Sequence, residues 1–139
     1  MTDQQKKELV QMALEACTHS YSPYSNFCVG AALLCEDGQV FCGANLENAT
    51  YTPTNCAERT ALFTAVFNGQ RKFKAIAVVG GKNGKCKDFC PPCGVCRQAL
   101  REFCSDDFEV ILGKDDLSYR SLKLIDLLPY SFDKNNLDN

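Results

Sequence analysis

The chain has 139 residues, a length that suits one domain with a hydrophobic core of its own. Its 15 basic and 17 acidic residues give a net charge of −2, which lacks the basic excess of nucleic-acid-binding proteins. Apolar residues make up 45% of the chain but form no run of about 18, which argues against both disorder and a membrane span. The N-terminus lacks the apolar core of a signal peptide, so we expect one cytoplasmic domain over residues 1–139 that binds neither nucleic acid nor membrane.

The first half of the chain predicts a helix followed by a β-hairpin. A capping-box pattern and apolar residues at helical spacing predict the helix over about residues 3–19. Apolar segments at residues 27–35 and 40–45 flank an Asp37-Gly38 turn, which is typical of two antiparallel strands.

The second half predicts alternating helices and strands. In order they are a helix, a buried strand, a helix, a strand and a short helix, over about residues 56–68, 75–80, 95–103, 108–113 and 124–128. Residues 119–124 fit a fifth strand as an alternative to the beginning of the last helix. This order predicts an α/β fold, a three-layer α-β-α sandwich whose mixed, roughly five-stranded sheet has helices on both faces.

Ten cysteines are the unusual feature of the composition. In a reducing cytosol they are expected to be free thiols and not a disulfide framework. Five of them lie in apolar segments and are predicted to pack as small hydrophobic residues: Cys17, Cys28, Cys35, Cys42 and Cys104. We expect the chemistry among the others, which are Cys56, Cys86, Cys90, Cys93 and Cys96.

Two motifs carry the predicted chemistry, NCAER at residues 55–59 and PPCGVCRQ at residues 91–98. The two cysteines of the second motif are three residues apart at a helix start, which places both thiols on one face. Cys56 also opens a helix, so the positively polarised N-termini of two helices are expected to bring three thiolates together. Glu58 approaches a metal on Cys56 only if Cys56 lies at the non-helical edge, and three ligands with an open fourth position are typical of catalytic zinc.

The second motif taken alone also fits half of a structural zinc site or a redox pair, but neither alternative explains Glu58. A His or Cys two residues before Glu, followed by Pro-Cys-x-x-Cys, is the signature of zinc-dependent nucleobase deaminases. The single histidine, His19, lies far from both motifs and is expected to be a surface or partly buried residue.

With three further segments, these motifs resemble the small homotetrameric cytidine deaminases over nearly the whole chain. The matching segments are YSPYSNFCVGAAL at 21–33, NLENATY at 45–51, NCAERTAL at 55–62, PCGVCRQ at 92–98 and LLPYSF at 127–132. The resemblance implies zinc-dependent hydrolysis of cytidine and 2′-deoxycytidine to uridine, 2′-deoxyuridine and ammonia in pyrimidine salvage. It also implies a homotetramer with shared active sites.

The resemblance assigns roles at the metal. Cys56, Cys93 and Cys96 would hold one Zn²⁺ per subunit, with water as the fourth ligand. Glu58 would carry protons from that water to N3 of cytosine and to the departing ammonia. Arg59 would hydrogen-bond to a zinc-bound sulfur, and an exposed helix charge is its alternative interpretation.

The resemblance also implies a substrate-binding set, which is Phe27, Asn45, Leu46, Glu47, Ala57 and Phe132. Asn45 and Glu47 would bind ribose hydroxyls, and the carboxylate would repel a phosphate, which favours nucleosides over nucleotides. Phe27 would lie beside the nucleoside, and Phe132 would stack on the base from a neighbouring subunit. Ordinary core packing is the alternative for either ring.

Two rival functions stay open at this point, and the sequence departs from the family pattern at two places. A deaminase of another cytosine nucleoside, such as blasticidin S, shares the zinc motifs, and a structural zinc or thiol-redox module is a rival outside enzymes. Pro91 stands where many relatives have Ser, so the contact to the substrate amino group is not assigned. Cys86 and Cys90 are extra cysteines in the loop before that position.

Overall fold

The computed structural model describes residues 1–138, and residue 139 of the expected domain lies outside them. It contains four α-helices, five strands and a C-terminal 3-10 helix. The helices are α1 (Asp3–Cys17), α2 (Ala57–Phe67), α3 (Gly94–Arg101) and α4 (Leu124–Leu127), and the 3-10 helix is Lys134–Asn136. The strands are β1 (Phe27–Cys35), β2 (Val40–Ala44), β3 (Phe73–Lys82), β4 (Glu109–Gly113) and β5 (Tyr119–Lys123).

The five strands form one mixed sheet in the order β2-β1-β3-β4-β5. Only β3 and β4 run parallel, with Ala77 opposite Ile111, and α3 forms the crossover between them. The strand β5 is present, so the alternative of a strand before the last helix is confirmed. No helix within residues 1–138 has the length and apolar character needed to cross a bilayer.

Helices cover both faces of the sheet, which confirms the three-layer arrangement. On one face α1 buries Leu9, Val10 and Ala13 against the sheet. On the other face α2 and α3 bury residues such as Leu62 and Leu100. Because β3 lies in the centre, its residues 75–81 are buried continuously, as a strand covered on both sides requires.

The cysteines predicted to pack in the core do so with one exception. Cys17, Cys35 and Cys104 are buried, and Cys28 is half-buried. The prediction is wrong for Cys42, which is exposed because it lies on β2, an edge strand with a sheet neighbour on one side only. All ten cysteines are free thiols.

A glycine sets how closely the helix α2 approaches the sheet. A Cβ atom built on Gly43 of β2 would lie 2.5 Å from the Ala57 carbonyl oxygen and 2.5 Å from the Ala61 nitrogen. The backbone of α2 therefore rests directly on β2, where no larger residue fits. This contact determines the position of the first turn of α2, where the candidate site begins.

Candidate active site

The site is built at the N-termini of α2 and α3. Cys56 caps α2 in an extended conformation, with φ −78° and ψ 156°. Cys93 caps α3 in nearly the same conformation, with φ −67° and ψ 165°. Both thiols therefore lie at the non-helical edge of their helices. This position of Cys56 is the one that lets Glu58, two residues later, approach a metal bound to the Cys56 thiol.

Three sulfur atoms converge at this point. The Sγ atoms of Cys56, Cys93 and Cys96 lie within 4.8 Å of one another, and those of Cys56 and Cys93 are 3.8 Å apart. Zn–S bonds of about 2.3 Å in a tetrahedron place two sulfurs roughly 3.8 Å apart, so the donor set fits zinc. No fourth His, Cys, Asp or Glu joins this group within residues 1–138, and Cys93 is exposed, so the fourth position is open to solvent and substrate.

Arg59 supports the thiolate form of the cluster. Its Nη2 atom donates a hydrogen bond of 3.3 Å to Cys56 Sγ. The Cys96 thiol hydrogen-bonds to Cys56, and together with Arg59 this lowers the pKa of Cys56 to about 5. The same hydrogen bond and burial raise the pKa of Cys96, because Cys96 keeps the proton that the two sulfurs share. The positive charge of Arg59 offsets part of the excess negative charge of three thiolates.

Glu58 is a buried carboxyl group beside the thiols. Only 4% of the residue is exposed, and Oε1 has no hydrogen-bond partner within residues 1–138. Burial, followed by the negative charge of Cys56, raises the pKa of Glu58 to about 7. A carboxyl group whose pKa lies near neutrality both accepts and donates a proton readily, as general acid–base catalysis requires. Ala57, its neighbour in the motif, is fully buried.

Asn45 is bound to the beginning of β1. Its Oδ1 atom accepts hydrogen bonds from the Val29 nitrogen, at 2.9 Å, and from the Ser20 hydroxyl. Its Nδ2 atom donates to the Phe27 carbonyl oxygen at 2.8 Å. The amide therefore connects β1 to the end of β2, and one Nδ2 proton remains for a further acceptor.

Glu47 holds the loop that precedes β1. The carboxylate accepts hydrogen bonds from the backbone nitrogens of Tyr24 and Ser25 at 2.9 and 3.1 Å, and from the Ser25 hydroxyl. These bonds, that of the Ser25 side chain first, lower the pKa of Glu47, which is therefore a carboxylate at neutral pH. Leu46, between the two polar residues, is 52% exposed.

The two phenylalanines of the substrate set are exposed in this chain. Phe27 is 40% exposed, and its ring lies beside Gly80, where a Cβ atom would come within 3.2 Å of Phe27 and 2.8 Å of Cys90 Sγ. Phe132 is 61% exposed, while its carbonyl oxygen accepts a hydrogen bond from Gln98. Neither ring belongs to the hydrophobic core of the chain.

Arg97, which directly follows Cys96, is a residue of the site that the sequence motifs do not single out. Its Nε atom donates to the Pro92 carbonyl oxygen at 2.8 Å and its Nη1 atom donates to the Leu127 carbonyl oxygen at 2.7 Å. The only available signal was its position after Cys96. Of the two extra cysteines, Cys86 is fully buried in the core under α1, so it is a packing residue.

Comparisons with known proteins place these residues in a family context. The family described as cytidine and deoxycytidylate deaminase zinc-binding region matches residues 3–112. A cytidine deaminase of Halalkalibacterium halodurans is 45% identical over 134 residues, which cover 96% of this chain and 98% of that protein. The crystal structure of cytidine deaminase from Burkholderia pseudomallei superposes with a TM-score of 0.84 at 46% identity, covering 95% of this chain and 100% of the other. A blasticidin-S deaminase of Bacillus cereus is more distant, at 30% identity over 136 residues, 95% of each chain.

Proposed function

The chain belongs to the cytidine and deoxycytidylate deaminase family, and from this premise we propose that it hydrolyses cytidine and 2′-deoxycytidine. The products are uridine or 2′-deoxyuridine and ammonia. The observation that carries the proposal is the buried carboxyl group of Glu58 beside three converging thiols with an open fourth position. A structural zinc or thiol-redox module leaves such a carboxyl group without a purpose.

Cys56, Cys93 and Cys96 would hold the zinc ion, which when bound would supply a Lewis acid for the hydrolysis at C4. Glu58 takes a proton from the attacking water and passes it to N3, which makes C4 electrophilic. Glu58 then carries the second proton of the water to the departing amino group, so the C4–N bond breaks and ammonia leaves. Its pKa of about 7 suits both transfers.

The ribose end of the site is assigned to Asn45 and Glu47. The ionised Glu47 accepts hydrogen bonds from sugar hydroxyls and repels a 5′-phosphate, which favours nucleosides over nucleotides. Phe27 and Leu46 are exposed apolar groups suited to contact with the nucleoside, and the buried Ala57 is assigned to the same substrate-binding set.

Five finer statements belong to the same proposal. The chain acts as one catalytic domain, with one zinc ion per subunit, in the cytoplasm and in pyrimidine salvage. It assembles as a homotetramer in which Phe132 covers the base in the site of a neighbouring subunit. The exposure of the Phe132 ring in the single chain supports this assembly, because an exposed phenylalanine is suited to a second subunit or a ligand.

The substrate is tested directly by measuring uridine and ammonia formed from cytidine, with CMP and blasticidin S as comparison substrates. We expect kcat/KM for cytidine to exceed the values for both by at least about 10-fold, because the carboxylate of Glu47 would repel the phosphate of CMP and is assigned to the ribose of cytidine. Faster turnover of blasticidin S would replace the assignment with the rival deaminase activity. A protein that binds zinc but turns over neither nucleoside would contradict the enzymatic function.

The metal ligands are tested by elemental analysis of a Cys56→Ala, Cys93→Ala double variant. Wild-type protein should contain one zinc per chain, and the double variant should lose it, because the remaining single thiol cannot hold the ion alone. Cys42→Ala is the matched control, since it removes an exposed thiol outside the cluster and should keep full zinc content. Zinc retained by the double variant would refute the ligand assignment.

A further inference from the structure

The C-terminal segment, residues 127–133, is bound along the helix α3 by side chains of that helix. Arg97 Nη1 donates to the Leu127 carbonyl oxygen at 2.7 Å. Gln98 Nε2 donates to the Phe132 carbonyl oxygen at 2.9 Å. The helix residues thus bind the main chain of the C-terminal segment at both ends and leave the ring of Phe132 exposed.

An ion pair fixes the residue after Phe132. Arg101 Nη2 lies 3.0 Å from Asp133 Oδ2, and the two side chains are only 17% and 13% exposed. The other oxygen of Asp133 accepts from the Asn135 nitrogen at 2.9 Å and caps the 3-10 helix. An ion pair that is shielded from solvent in this way holds the two residues together more strongly than an exposed ion pair does.

The same helix carries part of the metal cluster. The helix α3 begins after Cys93 and contains Cys96, and Arg97 also donates from Nε to the Pro92 carbonyl oxygen before the first of these cysteines. One thiol of the metal cluster, Cys96, and the side chains that bind the C-terminal segment are therefore on the same helix of 8 residues, which Cys93 caps.

We propose that Gln98 and Arg101 are positioning residues for Phe132, which fix its backbone so that the ring is ordered before a nucleoside binds. This inference rests on the proposed function, in which Phe132 covers the base of a neighbouring site. Without the Gln98 hydrogen bond and the Arg101–Asp133 ion pair, the segment samples more conformations. Binding of substrate must then order the ring, and the entropic cost of this ordering reduces the affinity for substrate. The effect therefore falls on KM and not on the chemical step.

The chain offers a matched pair of variants, because Arg101 also pairs with Asp106 at 2.7 Å. Asp133→Asn keeps an oxygen for the cap but removes the charge that holds the C-terminal segment. Asp106→Asn removes the other charge from the same guanidinium and leaves residues 127–133 bound. We expect Asp133→Asn to raise KM for cytidine about 3- to 10-fold with kcat within about twofold. Asp106→Asn should have kinetics close to wild type.

A second pair uses the glutamine. Gln98→Leu should raise KM in the same way, whereas Gln4→Leu, which removes a glutamine hydrogen bond to Glu8 on α1, should not. The decisive measurement is a double-mutant cycle with Phe132→Ala. If Gln98 and Asp133 act through the ring, neither substitution weakens catalytic efficiency further once the ring is gone.

The outcomes separate the inference from the proposed function. Suppose that Phe132→Ala lowers catalytic efficiency and that Gln98→Leu or Asp133→Asn still has its full effect on KM in the Phe132→Ala background. This result would overturn the positioning role and leave the role of Phe132 over the base intact. Equal KM changes for Asp133→Asn and Asp106→Asn would overturn it too. Wild-type kinetics of Phe132→Ala itself would remove the base cover and, with it, this inference.

Discussion

Glu58 combines a buried position with an ionisable side chain, which is what the proposed role of proton carrier requires. The first turn of α2 holds it beside Cys56, at the positive end of the helix, and yet burial keeps its pKa at about 7. Burial therefore outweighs the helix end and any attraction to Arg59, since these would lower the pKa. An exposed carboxylate would be ionised at neutral pH and would give its proton back poorly.

Glu58→Gln keeps the shape of the side chain and removes its ability to accept a proton. We expect kcat for cytidine to fall at least about 100-fold, the low end for general acid–base catalysis. Zinc content should stay at one per chain, because Glu58 is outside the group of three thiols. Glu8→Gln on the exposed surface of α1 is the control and should retain activity. Turnover near wild type in a zinc-loaded Glu58→Gln protein would disprove the proton-carrier role.

At the scale of elements, the position of α2 on the sheet determines the site. Cys56 and Glu58 lie in its first turn, and Gly43 allows the backbone of this turn to rest on β2. A small change in the distance between α2 and β2 would move the Cys56 thiol and the Glu58 carboxyl group together. The other two thiols, Cys93 at the cap of α3 and Cys96 within it, do not follow that movement.

Gly43→Ala should therefore damage both stability and metal binding. The added methyl group meets backbone atoms of Ala57 and Ala61, so relief requires displacement of α2, at a cost of about 1–3 kcal/mol. We expect a drop in Tm of at least about 4 °C and weaker zinc retention against a chelator. Cys42→Ala serves as the control, since it changes the exposed neighbour of Gly43 on β2 and lies outside the metal cluster. A Gly43→Ala protein with wild-type Tm and zinc affinity would show that α2 is not held by this contact.

At the scale of the whole molecule, several aromatic side chains are exposed in the single chain. Phe63 and Phe67 on the outer side of α2 are 52% and 91% exposed, and Phe132 is 61% exposed. Large apolar side chains grouped at a surface mark protein–protein contacts or ligand sites. The proposed shared site gives a role to the Phe132 ring, which lies outside the core of its own chain.

Phe132→Ala should lower kcat/KM for cytidine about 5- to 150-fold, because aromatic stacking contributes roughly 1–3 kcal/mol per base. Hybrid tetramers of Phe132→Ala chains with Glu58→Gln chains should regain activity. In these hybrids a site with intact Glu58 receives Phe132 from its neighbour.

The control for the hybrids is a mixture of the two variants held under conditions that prevent subunit exchange, which should stay inactive. An active monomer in light scattering, or hybrids without recovery, would be incompatible with shared sites.

Local sequence patterns were sufficient to predict most of the secondary structure and the candidate metal ligands of this protein. The order of helices and strands follows from hydrophobic periodicity and turn residues, since these act over a few neighbouring positions. The two cysteine motifs also define the candidate ligands and Glu58, because metal coordination and proton transfer demand particular side chains at particular spacings. The length of β3 was underestimated, as strand ends depend on pairing with β1 and not on local sequence.

Only the tertiary structure determined the properties that depend on residues distant in the chain, which are burial, long-range hydrogen bonds and the pKa of Glu58. Cys42 lies in an apolar segment and Cys86 lies between two lysines, yet Cys42 is exposed at a sheet edge and Cys86 is buried beneath α1. The bonds of Arg97 and Gln98 to residues 127–133 join positions about 30 apart in the chain, and no local pattern predicts them. The pKa of Glu58 likewise results from burial by the whole fold, which sequence spacing does not encode.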